Sequence, residues 1–157
     1  NEAAAVYLRY PRFRFRPSQS DALHLDLWVE GQNVLRDAGT YSYNVSPEDT
    51  AYFNGAIAHN TVEFDGRDQM PRVGRFLFGS WLTAQDVETV RETPEGLSAA
   101  VGYRDDWGAG HHRAITLSGR RLICTDRLNG GQSAVGIAPP REIDRRSSRY
   151  SDGSSAA

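Results

Sequence analysis

A dense group of polar side chains lies between residues 16 and 72, and its residue types can do acid–base and ion-pairing chemistry. Histidine and tyrosine can transfer protons, and the planar guanidinium of arginine binds carboxylate or sulfate groups through two contacts. The candidates are Arg16, Gln19, Asp21, His24, Asp26, Asp37, Tyr41, Tyr43, Tyr52, His59, Asn60, Asp65, Asp68, Gln69 and Arg72. The residue types are most concentrated in two segments, residues 36–44 and 58–66.

The elements that carry these side chains are predicted to be β-strands. Apolar and polar residues alternate over residues 23–30, which is the pattern of a strand with one buried face. His24 and Asp26 are expected on the solvated face, opposite the leucines, where they would contact a substrate only if that face lines a cleft. A turn at residues 31–32 is expected to lead into a returning strand at residues 33–37.

The rest of the pattern predicts an all-β fold. Further strands are expected at residues 60–65, 74–90, 97–103, 112–117 and 121–126. Turn signals such as Thr93-Pro94-Glu95-Gly96 separate them, and no long amphipathic helix is indicated. Many short strands joined by turns favour an antiparallel β-sandwich.

The predicted domain covers residues 1–137, and the amino-acid composition changes after it. Residues 138–157 are rich in Arg, Ser and Ala and lack alternation, so a poorly packed tail is expected. Two explanations remain open for this tail: an ordinary flexible extension, or the product of a truncated or frame-shifted gene.

Composition excludes several classes of protein. The net charge of −2 and the pI of about 6.1 argue against a nucleic-acid binder that relies on a basic surface. No apolar run approaches the roughly 18 residues of a membrane span. A single cysteine excludes an intrachain disulfide framework and a zinc site built from several cysteines.

Three motifs, in this order, resemble the heparinase II/III-like family of polysaccharide lyases. The first runs from Arg16 to Trp28, the second is Asp37-Ala38-Gly39-Thr40-Tyr41, and the third is His59-Asn60-Thr61-Val62. Asp65-Gly66 and Gln69 follow the third motif. The resemblance covers roughly residues 12–126 and implies the C-terminal β-sandwich domain of that family.

The resemblance also implies an activity. The family cleaves uronic-acid polysaccharides by β-elimination, in which a base removes the proton beside the uronate carboxylate and the bond to the leaving oxygen breaks. An N-terminal α/α toroid, which this chain lacks, supplies the residue that holds the carboxylate and the catalytic tyrosine. The implied partners are therefore an anionic polysaccharide and a toroid domain, and the implied location is periplasmic or secreted.

Many members of the family carry a zinc site of two His and one Asp in the β-domain. Asp37 and His59 match two of these ligands, and His59 is also the candidate catalytic residue. Register counted back from the hairpin places Gln19 where the remaining His is expected, although His24-Leu25-Asp26 looks like the His-x-Asp motif. An amide is a poor zinc ligand, so zinc, or another divalent metal, is only a possible cofactor.

The candidate substrate-binding residues are Arg16, Gln19, Tyr41, Tyr43 and Asn60. Each candidate has a structural alternative. His59 would cap a turn, Asp37 would pin the turn at Gly39, the two tyrosines would pack on other aromatic rings, and Arg16 would be surface charge.

Two functions of different class follow. The chain is either the β-domain of a uronate-specific polysaccharide lyase, inactive without its toroid, or a non-catalytic carbohydrate-binding or structural module. If the chain is part of a lyase, the lyase would either degrade polysaccharides or trim them during biosynthesis. Its substrate would be heparan-like, alginate-like or another uronate polymer.

Overall fold

A computed structural model describes residues 3–135 of the chain. The predicted tail at residues 138–157 lies outside the described residues. In chain order the elements are β1 (Ala4–Leu8), β2 (Leu25–Val29), β3 (Gln32–Leu35), α1 (Pro47–Asn54), β4 (Glu63–Phe64), β5 (Arg72–Gly74), β6 (Leu77–Phe78), β7 (Gln85–Thr93), β8 (Gly96–Arg104), β9 (Gly110–Ser118), β10 (Arg121–Asn129) and β11 (Ala134–Val135). A single 3-10 turn, Ala56–Ala58, follows α1.

The strands form antiparallel sheets, and the fold is the expected antiparallel β-sandwich. One sheet has the order β1-β2-β3, and a larger one has the order β10-β9-β8-β7. Two short pairs, β11-β4 and β5-β6, complete the described strands. The larger sheet is a meander in which each strand pairs with its chain neighbour, so tight turns must join them. Gly96 begins β8 at φ +133°, and a Cβ there would lie 2.3 Å from the carbonyl oxygen of Leu117.

The main core lies between the segment that precedes β2 and the buried face of β8. Its buried members are Ala22, Leu23, Met70, Phe78, Leu82, Val101 and Tyr103, with Leu8, Phe13 and Ala84 packed against them. Residues 20–25 are therefore anchored against the larger sheet, and their backbone positions are set by that packing. No helix within residues 3–135 has the length and apolarity that a membrane-spanning helix needs.

The boundaries differ from the sequence expectation in three places. The strand expected at 60–65 is only Glu63–Phe64, because residues 59–61 adopt an irregular bend. The segment 74–90 is divided among β5, β6 and β7. β1 was not predicted at all, yet it pairs with β2 along its whole length.

Candidate metal centre

Three side chains from separate parts of the chain converge beside β2. His24 immediately precedes β2, Asp37 lies two residues after β3, and His59 ends the 3-10 turn that follows α1. One ligand atom from each lies within 4.8 Å of the others. We call His24, Asp37 and His59 the histidine–aspartate cluster.

Asp37 lies between the two histidine rings. Its Oδ1 is 3.3 Å from Nδ1 of His59, and its Oδ2 is 4.0 Å from Nε2 of His24. The rings meet edge to face, with centroids 5.5 Å apart. Both rings are almost completely buried, whereas the Asp37 side chain retains 21% of its surface. The carboxylate is therefore the accessible part of the cluster.

The structure corrects the expectation that Gln19 replaces a histidine of this site. The position facing Asp37 and His59 is taken by His24, while Nε2 of Gln19 lies 3.4 Å from Oγ1 of Thr40. The expectation that His24 is solvated is also wrong, because only 1% of its surface is exposed. The physical reason is Leu23, whose φ of +61° breaks the strand alternation before β2 begins.

A buried arginine holds the backbone beside both histidines. Nη1 of Arg113, on β9, donates to the carbonyl oxygens of Leu23 at 2.6 Å and Asn60 at 2.7 Å. Nε and Nη2 of the same guanidinium bind both oxygens of Asp126 at 2.7 and 2.8 Å. Arg113 has no exposed surface, so its charge is neutralised internally and its remaining donors fix the two bends that carry the rings.

Arg9, the residue that follows β1, borders the cluster. It forms ion pairs with Asp21 and, at 3.0 Å, with Oδ2 of Asp37. Half of its side chain is exposed, so the pair borders solvent. Arg9 therefore limits how far the Asp37 carboxylate can turn away from the rings.

Burial and neighbouring groups set the charges of the cluster. Burial lowers the pKa of His24 to about 4, against the opposing attraction of Asp37. Burial alone would raise the pKa of Asp37, but the His59 ring and the backbone N–H of Gly39 hold that pKa well below its usual range. At neutral pH the cluster therefore pairs a neutral His24 with an ionised carboxylate.

The cluster fits a divalent ion such as zinc in donor type and spacing. Two imidazoles and one carboxylate are a common zinc ligand set that leaves a position open. Nε2 of His24 and Nε2 of His59 are buried and find no hydrogen-bond partner within residues 3–135, which is costly unless another group completes them. His24, Asp37 and His59 are the residues that would hold such an ion.

The family described as heparinase II/III-like, C-terminal, matches residues 9–138. The chain belongs to this heparinase II/III-like family. No match was found among curated proteins or among solved structures.

Arg16, Tyr41 and Tyr43, which were also predicted for this heparinase II/III-like domain, are not members of the cluster. Arg16 is exposed. Tyr41 is exposed and stacks on Phe53, with centroids 5.0 Å apart, and the exposed Tyr43 meets Phe76 edge to face at 5.5 Å. Aromatic packing thus accounts for one side of each tyrosine ring and leaves the other side open.

Two further candidates lie inside the fold. Nδ2 of Asn60 donates to the carbonyl oxygens of Leu25 at 3.1 Å and Arg36 at 3.2 Å, so this amide joins two segments of the chain. His59 has no exposed side-chain surface, so it cannot reach a substrate carbon in this arrangement. The contact that the structure gives His59 is with Asp37, and its catalytic role stays a prediction.

Sequence reasoning missed Arg9, Arg113 and an open pocket. The pocket has a volume of about 530 Å³ and is lined by Tyr7, Leu8, Arg9, His24, Asp26 and Trp28. The His24-Leu25-Asp26 motif could have indicated the pocket, but counting back from the hairpin favoured Gln19 at the position of the metal-binding histidine. Nothing in the sequence marked Arg9 or Arg113, because both reach the cluster only through tertiary packing.

Proposed function

We propose that this chain is the β-sandwich part of a polysaccharide lyase that cleaves uronic-acid-containing polysaccharides by β-elimination. The observation that carries the proposal is the histidine–aspartate cluster, whose His24 also lines an open pocket, in a chain of the heparinase II/III-like family. A toroid domain would cover this pocket and supply the tyrosine that moves the proton. Sites between domains are common, and half of such a site positions a substrate without completing the reaction.

The chain's own residues would orient the substrate. Asp37 is ionised and partly exposed, and the two rings and Arg9 hold its direction. The Gln19 amide contacts the hydroxyl of Thr40, and the following residue, Tyr41, has an exposed ring. The amide would contact sugar hydroxyls, and the ring would contact a sugar face. A divalent ion held by His24, Asp37 and His59 would supply positive charge beside the bound uronate.

The test is formation of unsaturated uronate, followed by ultraviolet absorbance. The chain joined to an α/α toroid is expected to produce it from at least one uronate polymer, and the 157-residue chain alone is expected to produce none. Product from the 157-residue chain alone would contradict the proposal that the toroid supplies the catalytic tyrosine. No product from the toroid-containing protein with heparan-like, alginate-like and other uronate polymers would contradict the lyase proposal.

The second candidate is a carbohydrate-binding module without catalysis. The inaccessible ring of His59 favours it, because a buried base cannot act directly on substrate. Polysaccharide binding without product formation, in a protein that contains the toroid, would establish this alternative. The same comparison therefore separates the two functions.

A further inference from the structure

Tyr7 and Trp28 form an aromatic face that the histidine–aspartate cluster does not use. In the antiparallel pair of β1 and β2, Tyr7 is opposite Asp26 and Ala5 is opposite Trp28. Residues two apart on a strand share a face, so the two rings are diagonal neighbours on one side of the pair. Both rings are exposed, Tyr7 to 64% and Trp28 to 39%.

This face is continuous with the cluster. Tyr7, Trp28, Arg9, Asp26 and His24 line one open pocket of about 530 Å³. That volume falls in the range of about 300–1,000 Å³ typical of ligand sites. His24 is fully buried apart from this contact, and its Nε2 finds no hydrogen-bond partner in the described part of the chain. The pocket is therefore lined both by two exposed aromatic rings and by a histidine whose Nε2 lacks a hydrogen-bond partner among the described residues.

The charge around the pocket is negative. Asp26 lines it directly, and Asp21 and Asp37 are ion-paired to Arg9, so three carboxylates stand against one guanidinium. The positive charge of Arg9 is therefore offset by its two carboxylate partners before a ligand arrives. A carboxylate or sulfate placed over Trp28 and Asp26 would be repelled, and a divalent ion in the cluster would raise the sum only to zero.

We propose that Tyr7, Trp28 and Asp26 form a subsite for an uncharged sugar unit, the one adjoining the uronate at the cluster. Exposed aromatic faces suit the apolar C–H face of a pyranose, and the carboxylate of Asp26, which lines the pocket, can accept hydrogen bonds from sugar hydroxyls. The subsite rests on the proposed function for the position of the uronate. It selects polymers in which uronate alternates with a neutral sugar over polymers made of uronate alone.

The experiment measures binding to the 157-residue chain by calorimetry, with Trp28 indole N–H shifts in NMR spectra as a second readout. One probe is an oligosaccharide in which uronate alternates with N-acetylglucosamine, and the other is an oligosaccharide with uronate at every unit. The alternating probe is expected to bind at least about tenfold more tightly. Trp28→Ala and Tyr7→Ala are each expected to lose about tenfold in affinity for it, and Asp26→Asn is expected to narrow the difference between the probes.

Trp81→Ala is the matched control, because Trp81 is exposed to a similar degree but lines a different pocket with Phe13. It is expected to leave affinity unchanged. The subsite is refuted if Trp28→Ala and Tyr7→Ala both bind as the unmodified chain does, if the all-uronate probe binds as tightly, or if the folded chain binds neither probe. Lyase activity of the toroid-containing protein is measured separately. Product formation without the expected binding differences would refute the subsite alone, and the expected binding differences without product formation would refute the lyase proposal alone.

Discussion

Nδ1 of His24 accepts a hydrogen bond from the backbone N–H of Asn60 at 3.0 Å. A backbone N–H can only donate, so a neutral His24 ring carries its proton on Nε2. That atom faces Asp37. The usual metal-ligating histidine is arranged the other way, with its second nitrogen donating to a neighbour. Metal binding through Nε2 of His24 therefore requires the ring proton to move to Nδ1, which breaks the hydrogen bond from the Asn60 N–H.

Zinc is expected to bind at one site per chain, with loss of binding in His24→Ala, Asp37→Ala and His59→Ala. Because the His24 proton must move from Nε2 to Nδ1, binding is expected to shift the Asn60 amide resonance without release of a proton by His24. Calorimetry in buffers of different ionisation enthalpy and amide NMR check both effects. His112→Ala, on the other face of β9 from the buried His111, is the control. Undiminished zinc binding by His24→Ala would contradict the assignment.

Arg113→Ala is expected to reduce the free energy of unfolding by about 3–5 kcal/mol, because two backbone carbonyls lose their donor and Asp126 keeps only His111 as a partner. Arg127→Ala, an exposed arginine on the adjacent strand β10, is expected to change it by less than about 0.5 kcal/mol. Urea unfolding measures both variants. Equal stability of the two would show that the guanidinium does not brace the bends at Leu23 and Asn60.

Acid is expected to destabilise the chain through His24. The ring has a pKa of about 4 when folded and about 6.5 when exposed, so the unfolded chain binds the extra proton between these values. The free energy of unfolding therefore falls as pH drops from about 6.5 to about 4, by about 3 kcal/mol from this group. Burial also lowers the pKa of His111, so this residue adds to the loss of stability in acid.

Urea unfolding across this pH range, with a chelator present, checks the effect. His24→Gln is expected to flatten the slope, whatever its stability at neutral pH. Asp37 adds a further loss of stability only below about pH 4, its ordinary pKa. There the unfolded carboxyl binds a proton, whereas the folded carboxyl, whose pKa is lower, does not. An unchanged slope in His24→Gln would show that His24 does not remain neutral on folding.

Leu25→Asp is expected to lower the free energy of unfolding by at least about 3 kcal/mol, because it places a carboxylate at a position with no exposed surface. Val34→Asp, on the neighbouring strand β3 with an exposed side chain, is the matched control and should change stability little. Thermal and urea unfolding compare the two. A similar loss in both variants would refute the assignment of the buried face of β2.

Alternation and turn residues were enough to predict the larger sheet, since β8, β9 and β10 are regular strands with local pairing. They were not enough for the cluster. His24 is buried because Leu23 takes a left-handed conformation, which no alternation pattern encodes for a leucine. Gln69 stabilises the same bend by binding both the N–H and the carbonyl of Ala22, 47 residues away. Such contacts arise from tertiary packing, so spacing along the chain could not identify them.

The bends that carry His24 and His59 are held by an arginine 90 residues beyond Leu23 and 53 residues beyond Asn60. Contacts of such sequence separation require closure of long loops, and they slow folding. We therefore expect the cluster to be completed only when β9 joins the structure, after the local hairpins have formed. Ribosomes synthesise the chain from its N-terminus, so both histidines emerge long before the residue that secures them.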